Sequence, residues 1–105
     1  MIAEKTCGLH QQTQETLSNV FRKYPKIVKV ILYGSRAKGN YKAGSDIDIT
    51  LKAPKLKLSD LYKIENEIDE LLLPYKVDLS LFHLLDNPAL IEHIESVGKE
   101  LSISA

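Results

Sequence analysis

Three short runs limit what this chain can fold into. "KIVKVILY" at 26–33 is rich in β-branched and aromatic residues and stops at Gly34. "DIDITLK" at 46–52 alternates strictly and is followed by Pro54, and "KVDLSLF" at 76–82 alternates again. Each reads as a strand, the first as a central one. Between and around them the apolar period changes to that of a helix. Leu9, Thr13, Leu17, Val20, Phe21 and Tyr24 fall near one helical face that ends at Pro25. Leu58, Leu61, Ile64, Ile68, Leu71 and Leu72 repeat the spacing over 58–73, with Ser59 placed to cap the start and Pro74 to break the end. Asn87-Pro88 opens a short last helix that stops at Gly98. The order is α-β-β-α-β-α, an α+β fold (an α/β sandwich) with helices packed on a small mixed sheet.

The length of 105 residues suits one domain, 1–105, and 44% apolar with 27% charged residues is an ordinary globular balance. Formal charge is zero and the lysines are dispersed, so neither nucleic acid nor an anionic membrane is expected as a direct partner. The single cysteine, Cys7, has no internal partner for a disulfide. With no signal peptide and no apolar run of about 18 residues, the expectation is a cytoplasmic protein.

Strand alternation decides where the carboxylates point. Ile47, Ile49 and Leu51 share one face of the second strand, so Asp46 and Asp48 share the other, about 7 Å apart. In the third strand Val77, Leu79 and Leu81 leave Asp78 and Ser80 on the polar face. If these strands are neighbours, three aspartates converge. A carboxylate pair about 5 Å apart costs roughly 3 kcal/mol at an effective dielectric near 20, so a cation is called for. An all-oxygen set with room for water and phosphate oxygens suits Mg²⁺. Upstream, Gly34 lets the backbone approach a ligand, successive N–H groups in a turn form an anion nest, and Ser35 adds a hydroxyl. Arg36 and Lys38 are near enough in sequence to meet phosphate charge.

Competing motifs fail. Gly34 and Gly39 have Walker A spacing, but Asn40 and Tyr41 stand where Lys and Ser or Thr are required. An EF-hand starting at Asp46 meets Leu51 and Lys57 where Gly and Glu are needed. His10, His83 and His93 share no ligand spacing, so no zinc site is expected.

"GSRAKGNYKAGSDIDI" resembles the signature of the DNA polymerase β-like nucleotidyltransferase superfamily, and within it the minimal nucleotidyltransferases (MNT), antitoxin-type partners of small helical HEPN proteins. The resemblance covers roughly 27–82. It implies that Gly34 and Ser35 form the nucleotide-phosphate turn, with Arg36 beside them. It implies that Asp46, Asp48 and Asp78 are the catalytic, metal-binding carboxylates, holding a pair of Mg²⁺ ions with ATP as donor. The activity implied is nucleotidyl transfer, as a protein adenylyltransferase acting on a hydroxyl of a HEPN-type partner in a hetero-oligomer. Only 27 residues follow Asp78, too few for the acceptor-binding lobe of larger members, so the acceptor is expected on another molecule. Leu71 to Leu73 with Leu84, Leu85 and Leu90 are candidates for its docking surface. The alternative is a binding subunit of the same fold whose site is idle, which regulates a helical partner by covering it.

Overall fold

The computed structural model describes residues 11–39 and 46–101; Cys7, Leu9, His10 and Tyr41 lie outside them. Helix α1 (Gln11–Arg22) buries Leu17, Val20 and Phe21 and ends in a tightened turn, Tyr24 N–H donating to the Phe21 carbonyl at 3.0 Å. Strand β1 (Lys29–Tyr33) runs directly into a short helix α2 (Gly34–Lys38) where the sequence reads as a turn. Strand β2 (Ile47–Lys52) follows, then α3 (Leu58–Asp69), β3 (Val77–Leu81), a 3₁₀ turn at Phe82–Leu84, α4 (Pro88–Val97) and β4 (Lys99–Leu101).

Three boundaries depart from the sequence reading. The α3 cap is Lys57, whose N–H is accepted by the Asp60 carboxylate at 2.9 Å; Ser59 lies inside the helix and is exposed. That helix stops at Asp69, and Leu72 turns the chain with φ at 53°, a left-handed conformation that costs a non-glycine residue about 1–2 kcal/mol. The last helix is followed by a fourth strand, β4, whose three residues are too few to show a period in sequence.

The sheet order is β3-β2-β1-β4, with β1 antiparallel to both neighbours and β2 parallel to β3. The parallel step is what α3 provides, since a parallel connection needs a crossover and a helix supplies it. Register sorts the side chains cleanly. Val30, Leu32, Ile47, Ile49, Leu51, Leu79, Leu81 and Leu101 form one face, buried under α1 and α3 with Leu17, Phe21, Leu61 and Ile64. The opposite face carries Ile31, Thr50 and Ser80 in one cross-strand row and Tyr33, Asp48 and Asp78 in the next. Helix α4 packs over the β1 side of this second face. Its Asn87 cap accepts from Ala89 N–H (3.0 Å) and Leu90 N–H (3.3 Å), and Ile94 is buried. Gly98 closes the helix where any Cβ would collide with the Ile94 carbonyl and the Ile31 methyl. Among the described residues no helix is long and apolar enough to cross a membrane.

Candidate active site

Asp48 and Asp78 are register partners on adjacent parallel strands, about 4.8 Å apart in the sheet, as the alternation predicts. Asp46, exposed, lies just ahead of β2 at the same end. Their proximity is visible in Asp48, half-buried, whose pKa is raised by burial first, then by Asp78 and by Asp46, with His93 opposing. Tyr33, the third member of the row, has its phenol pKa raised, mainly by burial and also by Asp48 and Asp78. The Ser80 hydroxyl lies near enough to offset part of that rise, but its oxygen is buried outside hydrogen-bond geometry. Among the described residues no three His, Cys, Asp or Glu side chains are already drawn round one point as a bound metal requires. The donors are nevertheless the right kind for Mg²⁺: oxygen ligands only, anionic, mutually repelling and open at the sheet edge.

Gly34 leaves β1 with φ at 76°, which glycine adopts without strain. A Cβ there would overlap Asp48 Oδ2, so the residue has to be glycine for both reasons. Its N–H does not face an empty nest, contrary to the sequence expectation, but donates to His93 Nε2 at 3.1 Å. The His93 ring also meets Tyr33 edge-on, with centroids 6.1 Å apart and planes at 79°. Ser35, half-buried, follows in α2, which Gly39 closes at φ 88° by donating to the Ser35 carbonyl.

Arg36 departs from expectation. Instead of standing at an open phosphate position it is 2% exposed, its guanidinium 4.9 Å from the centroid of Tyr75. It joins α2 to the segment entering β3, while Lys38 remains exposed. His93 is the residue that sequence reasoning missed: a lone histidine on a short helix has no spacing signature, and only the packing of α4 brings it to Gly34. Beside the row, cavities of about 310 and 390 Å³ adjoin along the outer edge of β3 against α3. They share Glu65, Ile68, Asp69 and Val77, and the larger reaches Asp78. Burial there raises the Glu65 pKa, with Asp69 and Asp78 adding to it.

A mixed four-stranded sheet with helices on both faces and an acidic cross-strand row defines the class to which this domain is compared. The family model for polymerase beta nucleotidyltransferase matches residues 15–104, and the chain belongs to that family. Among solved structures, the fold is similar to a toxin–antitoxin with AMP-PNP, at 24% identity and a TM-score of 0.70, covering 87% of this chain and 73% of that one. It is similar to the toxin–antitoxin MntA-HepT at 22% identity and a TM-score of 0.67, covering 90% and 74%. A third likeness is to a tri-AMPylated Shewanella oneidensis HEPN toxin in complex with MNT antitoxin, at 23% identity and a TM-score of 0.59, covering 87% and 73%. At these identities the likeness carries the fold. No curated protein sequence matches the chain significantly.

Proposed function

We propose that this protein is a Mg²⁺-dependent nucleotidyltransferase that moves AMP from ATP onto a hydroxyl of a separate, HEPN-type protein. The observation that carries the reading is the register pairing of Asp48 with Asp78 beside Gly34: a carboxylate harder to ionise next to its neighbour, packed against a left-handed glycine whose added Cβ would displace it. The family and the neighbours, one with AMP-PNP and one with an AMPylated HEPN toxin, support the donor and the acceptor class.

In this reading Asp46, Asp48 and Asp78 hold Mg²⁺, which when bound neutralises charge on the triphosphate and on the departing pyrophosphate. Gly34 gives the phosphates room to approach and Ser35 donates its hydroxyl to them. Arg36 contributes by bracing α2 on Tyr75. Asp78, exposed on the edge strand, accepts the proton of the acceptor hydroxyl as that oxygen bonds to the α-phosphorus and pyrophosphate leaves. The acceptor approaches from the β3 edge, where the larger cavity reaches Asp78. Of the leucines proposed for docking, Leu72 is 87% exposed and Leu84 is exposed, whereas Leu73, Leu85 and Leu90 are partly covered.

The alternative is an idle-site binding subunit of the same fold, which would cover a helical partner without transferring to it. The deciding experiment is intact-mass measurement of a co-purified HEPN-type partner after incubation with ATP and Mg²⁺. A gain of AMP on the partner, absent with Asp48→Asn, is expected. A stable complex that never gains mass would replace the enzyme by the idle subunit.

A further inference from the structure

We propose that His93 is a positioning residue of this site: by accepting the Gly34 N–H it locks the left-handed glycine against which the Asp48 carboxylate lies. The lock rests on geometry alone; its effect on transfer rests on the functional reading above.

Gly34 needs such a lock. Glycine populates both hands of φ about equally, so nothing intrinsic to the residue holds it at 76°. It also stands at the first position of α2, where backbone N–H groups have no intrahelical acceptor and must find one elsewhere. His93 Nε2 is that acceptor, at 3.1 Å. With the amide held, the Gly34 Cα is kept against Asp48 Oδ2, and the carboxylate has no room to swing toward the turn.

The histidine is itself well fixed. Tyr33, the residue before Gly34 and the register partner of Asp48, takes the His93 ring edge-on and sets its plane. The next residue, Ile94, is buried, and Gly98 lets the helix end close on Ile31 of β1. Strand β4 then pairs with β1, so that the helix is tied to the same strand from which Gly34 emerges. One consequence is that α4 and β4 belong to the site. Another is that phosphate recognition in the turn passes to Ser35, since the Gly34 amide is already engaged.

The test separates acceptor from bulk. His93→Phe keeps a ring against Tyr33 but offers no acceptor; His93→Gln offers Oε1 in the region of Nε2. Gly34 amide hydrogen exchange is read by NMR on the protein without nucleotide, and transfer is read with ATP, Mg²⁺ and the HEPN-type partner. We expect His93→Phe to speed Gly34 exchange at least about tenfold. We expect it to lower kcat by about 10- to 100-fold, the scale of a small misplacement, with the nucleotide KM within about threefold. His93→Gln should restore most of both. Unchanged Gly34 exchange in His93→Phe overturns the proposal, as does an equal loss in Phe and Gln. Should His93→Phe not fold, His93→Leu takes its place in the same comparison. If the wild-type protein transfers nothing, the functional reading fails, and the exchange measurement still decides whether the lock exists.

Discussion

Ile49 and Asp48 are neighbours in β2, yet they belong to surfaces built on opposite rules. Ile49 lies fully buried in a row of aliphatic side chains with Leu32 on one side and Leu79 on the other, closed over by helices. Every group there is satisfied by contact, and removal of apolar area from water is the favourable term. Asp48 sits between Tyr33 and Asp78; burial and Asp78 make its ionisation harder, and burial with both carboxylates does the same to Tyr33. The helix-covered face supplies stability; the other face holds charge where charge is unfavourable. The difference teaches that the two faces meet different demands, because a surface that only had to fold gains nothing from lining up carboxylates across adjacent strands.

Substituting the two neighbours should break the comparison most sharply. Ile49→Ala leaves a cavity in the core and should cost about 2–5 kcal/mol, with transfer per folded molecule nearly intact. Asp48→Asn should do the reverse: transfer falls at least about a hundredfold, while the metal-free fold is as stable as the wild type or more so. The sign follows from the raised folded-state pKa of Asp48. An acid that ionises less readily when folded destabilises the fold as pH rises above the unfolded value, near 3.9, and through the folded one. The stability advantage of Asp48→Asn should therefore be absent at low pH and appear above that window. Urea melts at two pH values and intact-mass transfer assays read both halves. Equal losses of stability in the two variants would erase the distinction between the faces.

Two glycines sharpen it next. Gly34 and Gly39 have similar left-handed backbones, φ 76° and 88°, at the two ends of α2. Among the described residues a Cβ at Gly39 meets nothing within 4 Å, whereas one at Gly34 strikes Asp48. Gly39→Ala should carry only the backbone penalty of about 1–2 kcal/mol and retain transfer. Gly34→Ala should cost more and lose transfer as well, since the carboxylate has to move. The excess of the first glycine over the second measures how tightly the site is packed against its own turn.

What could be read in the sequence divides along the same line. The strands and the shared face of Asp48 and Asp78 follow from period-two alternation, which is local and survives in a single sequence, while Asp46 lies just ahead of β2. The chain direction of β3 relative to β2 does not follow from alternation, although Asp48 and Asp78 become register partners only because the strands are adjacent. The burial of Arg36 against Tyr75 is not legible, because proximity in sequence to a turn says nothing about which way a helical side chain points. The two missed features, β4 and His93, depend on contacts between segments about sixty to seventy residues apart, Leu101 with Val30 and His93 with Gly34. A cue existed only for Gly98, whose role as a close-approach residue is indistinguishable in sequence from an ordinary helix stop.

The smallest effect is expected on the outer surface of the core-covering helices. The Glu67 carboxylate of α3 accepts from Lys23 Nζ and from the Tyr24 hydroxyl, the latter at 2.8 Å, joining the exit of α1 to α3. Lys23 first, then Tyr24, lowers the Glu67 pKa. A depressed acid contributes stability above its unfolded pKa, near 4.3, and that contribution is lost as pH falls through the folded value. Because the pair is solvent-exposed, Glu67→Gln should cost no more than about 1 kcal/mol at pH 7 and less in high salt, with transfer unchanged. Its stability gap from the wild type should close on acidification. Asp48→Asn and Glu67→Gln therefore open gaps of opposite sign over the same acidic range. Urea melts of both variants from pH 3 to pH 7 measure the contrast: a carboxylate partnered by an ammonium and a phenol holds the helices together, and a carboxylate partnered by carboxylates strains the sheet. A stability gap for Glu67→Gln that stays flat from pH 3 to pH 7 would mean that the outer pair is not formed in solution.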